Sequence, residues 1–318
     1  MLLANSFQMK NSPLVSVIIN CYNGERFLKD ALDSVFNQSY QNWEIIFWDN
    51  CSDDQSVNIA SKYGPKVKIY SSDSNTSLGK ARSQALKKAN GEWLAFLDVD
   101  DIWMPNKLSA QLDGLIGTDN IMSYAGINEV DESLKKIKSL YPRWSSGMQL
   151  LNQLRYFEIN LVSSMVKRDI LVDLGIDFSD QMEASEEYNL FMRILPHGSV
   201  YVCKEILAIY RVYSESLTYK KMERWSIERR ITLSQLLDNL PELSESQEFK
   251  IAHRQADYYE ACFLMSKKEY SMARTVIKKH INNFIYQLLY FISFFPFLWK
   301  FIHNPVVKKK LTSLIQVS

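Results

Sequence analysis

Four short apolar runs constrain this chain most: VSVII (15–19), WEIIFW (43–48), KVKIY (66–70) and WLAFL (93–97). Each is rich in β-branched or aromatic residues and ends at a cluster of Asn, Asp or Ser, as a buried strand entering a loop does. Helical stripes separate them. Phe27, Leu28, Ala31, Leu32, Val35 and Phe36 form the first; Val57, Ile59 and Ala60 form the second, stopped by Gly64 and Pro65. Leu78, Ala81, Ala85, Leu86 and Ala89 form the third, with Gly91 as its expected stop. Strands alternating with helices in units this short predict an α/β fold, a single mostly parallel sheet flanked by helices.

In such a sheet, ligands sit beyond the carboxyl ends of the strands, where the loops are free to carry polar groups. The residues there are Asn20, Tyr22 and Asn23; then Asp49, Asn50 and Ser52; then Asp98, Asp100 and Asp101. Any one of these loops could be ordinary turn and cap chemistry, and Asp54 and Ser77 read as caps. The aspartate cluster fits capping less well. Pro105 reads as the first residue of the next helix, several positions downstream. Three carboxylates that close repel one another unless a positive group sits among them. Asp98 and Asp100 are two apart, so on an extended chain their side chains point the same way. Two hard oxygen ligands of that kind suit Mg²⁺ or Mn²⁺, which keeps waters and shares itself with substrate phosphates.

Composition narrows the partners. The 318 residues are 47% hydrophobic and can bury a full core; 37 basic against 36 acidic residues leave a formal charge of +1, so no global field recruits nucleic acid. The four cysteines lack metal-ligand spacing and read as reduced, in a cytoplasmic compartment. The stretch before Pro13 is too short and polar for a secretory signal.

Taken together, these segments resemble the family 2 glycosyltransferases, nucleotide-sugar enzymes with the glycosyltransferase A fold. PLVSVIINCYNGERFLKDALDSVFNQSYQNWEIIFWDNCSDD resembles the opening of that family, and DNCS (49–52), NTSLGKARSQAL (75–86) and GEWLAFLDVDD (91–101) follow in its order and spacing. The resemblance is good over residues 13–115 and looser to about 218. It implies a catalytic domain over 13–218, with a nucleotide-sugar half (13–115) and an acceptor half (116–218), followed by a helical region over 219–318.

By that resemblance, Tyr22 and Asn23 line the nucleotide site and Asp49 bonds the base. Asp98 approaches ribose and metal, and Asp100 ligates the metal. Arg82 matches an arginine facing the nucleotide or the acidic cluster; an ion pair with an aspartate and a phosphate contact are both open readings. In EASEEYNLFMRILPHG, Glu187, Leu190, Phe191 and Ile194 share one stripe, which turns Glu187 inward and Glu186 elsewhere. Glu187 stands where the family usually has aspartate and is the candidate base; the alternative is that both glutamates simply favour a helix N-terminus. YRVYSESLT (210–218) resembles the segment closing over the diphosphate, with Arg211 as its cation and Tyr213 where histidine is common. Asn20 also departs from the usual proline or threonine.

The implied activity is metal-dependent, inverting transfer of a sugar from a nucleoside-diphosphate sugar to a hydroxyl of a glycan or lipid-linked glycan acceptor, as in bacterial cell-surface polysaccharide assembly. The departures at Asn20, Glu187 and Tyr213 keep open a nucleotide-sugar binding protein without catalysis. A nucleotidyltransferase is less favoured, because NCYNGERF lacks a glycine-rich basic loop.

Past residue 219 the pattern is helical. Residues 256–281 read as a helical hairpin. FIYQLLYFISFFPFLWKFI (284–302) is long enough to span a bilayer but is interrupted by Gln287, Pro296 and Lys300 and flanked by lysines on both sides. Two readings stand: a peripheral contact with the cytoplasmic face of the inner membrane, or a hairpin broken at Pro296 and packed on the catalytic domain.

Overall fold

A computed structural model describes residues 12–213 and 221–303. The residues before Ser12, residues 214–218 of the closing segment and Lys308 to Lys310 lie outside the described residues. In chain order the elements are β1 (Val15–Cys21), α1 (Glu25–Phe36), β2 (Trp43–Asp49), α2 (Ser56–Ser61), β3 (Val67–Ser71), α3 (Leu78–Leu86), β4 (Trp93–Phe96), β5 (Ile102–Trp103), α4 (Lys107–Leu112), β6 (Asn120–Val130) and β7 (Lys136–Leu140). There follow α5 (Leu150–Arg155), a 3₁₀ turn (Leu161–Ser163), β8 (Met165–Lys167), α6 (Arg168–Asp173), α7 (Glu186–Ile194) and β9 (Ser199–Arg211). Five further helices are α8 (Met222–Asn239), α9 (Gln247–Ser266), α10 (Tyr270–Lys278), α11 (Phe284–Ile292) and α12 (Pro296–Ile302).

Among the described residues, all nine strands join one sheet in the order β3-β2-β1-β4-β8-β6-β9-β5, with β7 paired to β6. The four strands read from sequence form its parallel portion, β1 lying between β2 and β4. The chain therefore winds outward through β2 and β3, then returns to the other side of β1. In open sheets of this kind a ligand sits at such a reversal, here beyond the carboxyl ends of β1 and β4. Beyond β4 the sheet is mixed: β8 is antiparallel to both β4 and β6, while β6 and β9 run parallel. Interior strands are covered on both faces, and every residue of β2 is buried, the carboxylates Glu44 and Asp49 included. Leu28, Leu32 and Val35 of α1 are fully buried in the same core, each contributing about 1.5–3 kcal/mol.

Two details differ from the sequence reading. Helix α3 ends at Leu86, with Lys87 as its cap, and does not run on to Gly91. Gly91 instead admits a neighbouring strand, since a Cβ there would lie 2.5 Å from Ser16 N. Likewise, the helix after the aspartates starts at Lys107, because Ile102 and Trp103 first pair with β9. Ser77 is the N-cap of α3, accepting from Lys80 N (3.3 Å), whereas Asp54 stands one residue ahead of the N-cap Gln55 and accepts from Ser56 N (2.9 Å) and Glu25 N (2.9 Å).

At Gly79 on α3, a Cβ would come within 2.2 Å of the Ser179 carbonyl oxygen, a backbone atom that no rotamer change can move. Gly79→Ala is therefore expected to destabilise this unit by about 1–3 kcal/mol in chemical denaturation, as overpacking does.

The chain divides into two compact units: residues 1–149 with 158–214, and residues 150–157 with 215–318. Helix α5, from within the 116–218 stretch, thus packs with the second unit, where Gln255 Nε2 donates to Arg155 O at 2.8 Å. The core of that unit joins Tyr258, Ala261 and Leu264 of α9, Ala273, Val276 and Ile277 of α10, and Tyr286, Leu289 and Trp299 of α11 and α12. Among the described residues, no helix is long and apolar enough to cross a membrane.

Candidate active site

The loops after β1 and β2 are laced together. Asn23, at a left-handed φ of 51° that asparagine tolerates, donates its backbone N–H to Ser52 Oγ (3.0 Å) and accepts from Asp53 N through Oδ1 (3.0 Å). Gly24 N donates to Ser56 Oγ, and Glu25 and Asp54 each bond the other's loop. Asp49 lies beside Cys21 in register, and its carboxylate, 4% exposed, accepts from Ser52 N at 3.2 Å. Asn23 and Asp49 thus shape the loop floor, while Tyr22 stands 55% exposed at its lip. Asn20 Nδ2, at the end of β1, is buried without a hydrogen-bond partner.

The loop after β4 comes close to this floor. Gly24 permits it, since a Cβ there would lie 3.0 Å from Val99 Cγ2. Asp101 N donates to Asp98 O at 3.1 Å, so the chain turns over Asp98–Asp101 rather than staying extended. The two carboxylates consequently take separate partners. Asp98 Oδ1 meets Arg82 Nη2 at 2.6 Å, and Asp100 Oδ2 accepts from Tyr213 Oη at 2.8 Å.

Arg211, 2% exposed at the end of β9, clasps the turn from the other side. Its backbone N–H donates to Asp101 Oδ1 (3.0 Å) and its Nη1 to Asp100 O (2.9 Å); Nη2 pairs with Asp30 Oδ2 at 2.6 Å. The guanidinium lies 4.4 Å from the centre of the Phe27 ring. Even so, burial and the charge of Asp98 push the Asp100 carboxyl up, and burial with Asp100 and Asp98 holds Asp101 well above the usual carboxylate range.

Arg82 links this turn to α7. Fully enclosed, it pairs with Asp98 through one nitrogen and with Glu186 through the other. Against the lowering effect of burial, these two carboxylates hold its pKa above the ordinary value. Here the helical-stripe reading is corrected: Glu186, expected to face away, is the carboxylate bonded to Arg82. The reason is that α7 is enclosed nearly all round, with Tyr188, Asn189, Leu190, Phe191, Met192 and Ile194 buried, so no single inward stripe exists.

Glu187 is partly buried beside Glu186. Burial, then the charge of Glu186, raises its carboxyl to about 7; Arg82 and a hydrogen bond from the Leu161 backbone pull the other way. The segment carrying Leu161 is held from below by three side chains. Trp103 Nε1 donates to Val162 O (2.8 Å), Gln111 Nε2 to Ser163 O (2.9 Å) and Lys107 Nζ to Ser164 O (3.4 Å). Lys107 also donates to Gln111 Oε1 at 2.7 Å, and burial depresses its pKa well below that of a free lysine. Sequence reasoning passed over this clamp. Its trace was a four-residue spacing of Trp103, Lys107 and Gln111 beside the apolar Leu108 and Leu112.

Around the turn stand the carboxyls of Asp30, Asp98, Asp100, Asp101, Glu186 and Glu187 and the guanidiniums of Arg82 and Arg211, an excess of acid. Among the described residues, no group of three or more His, Cys, Asp or Glu converges to hold a metal. Asp98, one-third exposed, and Asp100, pushed up by burial and then by the charge of Asp98, fit a cation that takes most of its shell from water and phosphate oxygens.

Known proteins resemble this chain over much of its length. Residues 16–171 match Glycosyl transferase family 2. An uncharacterized glycosyltransferase of Rickettsia felis is 32% identical over 239 residues, covering 72% of this chain. The UDP-Glc:alpha-D-GlcNAc-diphosphoundecaprenol beta-1,3-glucosyltransferase WfgD of Escherichia coli is 28% identical over 224 residues, covering 67% of this chain and 85% of that protein. Among solved structures, S. aureus TarS 1-349 in complex with UDP-GlcNAc aligns with a TM-score of 0.63 at 20% identity, over 88% of this chain and 79% of that one.

The fold is therefore that of the glycosyltransferase A class. The chain belongs to glycosyltransferase family 2. It spans 39% of the length of the Rickettsia felis relative.

Proposed function

We propose that this chain transfers a sugar from a nucleoside-diphosphate sugar to a hydroxyl of a glycan or lipid-linked glycan at the cytoplasmic side of the membrane, by direct displacement with inversion, in the assembly of a cell-surface polysaccharide. The observation that carries the reading is the coupling of two groups at one edge of the sheet: the acidic turn Asp98–Asp101 and, through Arg82 and Glu186, a carboxyl at Glu187 raised to about 7. WfgD, whose acceptor is a diphosphoundecaprenol-linked GlcNAc, supports the class of acceptor.

In this reading the loops after β1 and β2, with Tyr22, Asn23 and Asp49, cradle the base and ribose. Asp98 and Asp100 would hold Mg²⁺ or Mn²⁺, which when bound neutralises the charge that develops on the departing diphosphate. Arg211 anchors the turn and adds positive charge beside it. Glu187 takes the proton of the acceptor hydroxyl while that oxygen bonds to the anomeric carbon and the bond to the diphosphate oxygen breaks. A base with a pKa near 7 is unprotonated often enough at neutral pH and still accepts a proton well.

The reading is tested by thermal unfolding against UDP, GDP, CMP and dTDP, each with and without Mn²⁺, since a ligand of the folded state raises the midpoint. One nucleotide is expected to raise it only with the metal, and Asp100→Ala to abolish both that shift and sugar transfer. No shift at millimolar nucleotide, or normal turnover in Asp100→Ala, would overturn it.

A further inference from the structure

The second unit carries an apolar face that its own core does not use. Helix α11 turns Tyr286, Leu289 and Ile292 inward, and α12 turns Trp299 inward. Its other side is just as apolar yet lies in the open: Phe284, Leu288, Phe291, Phe294, Phe295, Phe297 and Phe301 are all exposed, Phe284 and Phe297 by about three-quarters. The rings are continuous, with Phe291 and Phe295 centred 5.4 Å apart and Phe295 and Phe297 6.5 Å apart. A helix apolar all round belongs in a core or at a lipid boundary, and exposed patches of this kind mark interaction surfaces.

Charge says which surface. The sequence holds no Asp or Glu after Glu269, whereas Arg274, Lys278, Lys279, Lys300 and Lys308 to Lys310 are all cationic. Of these, Lys278 and Lys279 are exposed just before α11 and Lys300 is exposed on α12, flanking the rings. Arg274 lies 4.6 Å from the centre of the Phe294 ring. Aromatic rings bordered by cations complement an anionic lipid surface, and Asp257, the carboxylate that feels Lys279, is already paired with Arg230 and His280. Geometry says how it sits. At 1.5 Å per residue, the nine residues of α11 and the seven of α12 reach only about 14 and 11 Å, against about 30 Å of hydrocarbon.

We infer that α11 and α12 form a monotopic membrane-docking surface, with Phe284, Leu288, Phe291, Phe295 and Phe297 entering the headgroup boundary of an anionic bilayer and Lys278, Lys279 and Lys300 pairing with its phosphates. The inference stands apart from the transfer reaction and holds for any activity of the first unit.

Co-sedimentation of the full chain with phosphatidylcholine vesicles, with and without phosphatidylglycerol, tests it. The chain is expected to pellet with the anionic vesicles and to be released as salt rises. Phe291→Ser/Phe295→Ser/Phe297→Ser is expected to weaken binding at least tenfold. Lys278→Gln/Lys279→Gln/Lys300→Gln is expected to remove the preference for phosphatidylglycerol. These side chains are exposed, so both variants should keep the wild-type thermal midpoint, which serves as the folding control. Failure of the wild type to pellet, or equal binding by the phenylalanine variant, would overturn the inference. So would a wild-type dimer that the phenylalanine variant converts to monomer while vesicle binding is unchanged, because the face would then cover a second copy of this chain.

Discussion

Glu187→Gln is expected to lower sugar transfer by about 10²- to 10⁴-fold while leaving nucleotide binding intact, the range over which a positioned general base acts. The amide keeps the shape and the hydrogen bond from Leu161 but cannot take a proton. Two further measurements separate a base from a merely structural group. Wild-type transfer should rise with pH through about 7, because only the unprotonated carboxylate accepts the hydroxyl proton. The folded protein also binds that proton more tightly than the unfolded chain, whose glutamate titrates near 4.5. Glu187 therefore opposes folding increasingly as pH climbs from about 4.5 through about 7, and Glu187→Gln should unfold at a higher temperature than wild type at pH 8. A variant with wild-type turnover would place the base elsewhere.

Arg82→Met should cost about 3–5 kcal/mol in chemical denaturation of the sheet-bearing unit, the usual penalty for leaving one partner of a buried ion pair alone. Glu186, only 8% exposed at its side chain, would lose its cation, and Asp98 would rejoin an unrelieved acidic turn. Because Arg82 also restrains the pKa of Glu187, a fraction of Arg82→Met that folds should show its pH–rate profile displaced to higher pH. Arg82→Lys, which keeps one charge but cannot fork between two carboxylates, should recover part of the stability. A loss below about 1 kcal/mol in Arg82→Met would mean that water already reaches this pair and that the link between acidic turn and α7 is weak.

Much of the first unit was legible in the sequence because its signals are local. A strand buried on both faces reads as an apolar run; β1, β2 and β4 do so, and the loops at their carboxyl ends hold the polar groups. Strands β6 and β9 went unread because bulges and polar residues such as Asn128 and Glu205 break their pattern. In the long apolar segment near the end, the break at Pro296 was legible. Its break into α11 and α12 followed Pro296, which sits at the first position of α12.

The candidate site divides in the same way. That Asp98, Asp100, Asp49 and Tyr22 stand at one edge followed from alternation of strand and helix, a rule of short range. Which partner each charge takes did not: Arg82 reaches Glu186 across 104 positions of sequence and Arg211 reaches Asp101 across 110. Helical spacing turned the wrong glutamate outward, since a stripe describes a helix with one wet face and α7 is enclosed nearly all round. Periodicity and turn chemistry, which act between near neighbours, determined the parallel strands and the polar loops at their carboxyl ends, but not that the chain turns over Asp98–Asp101. Pairing among buried charges is set by which groups the closed core leaves no water to solvate, and only the tertiary structure decided that.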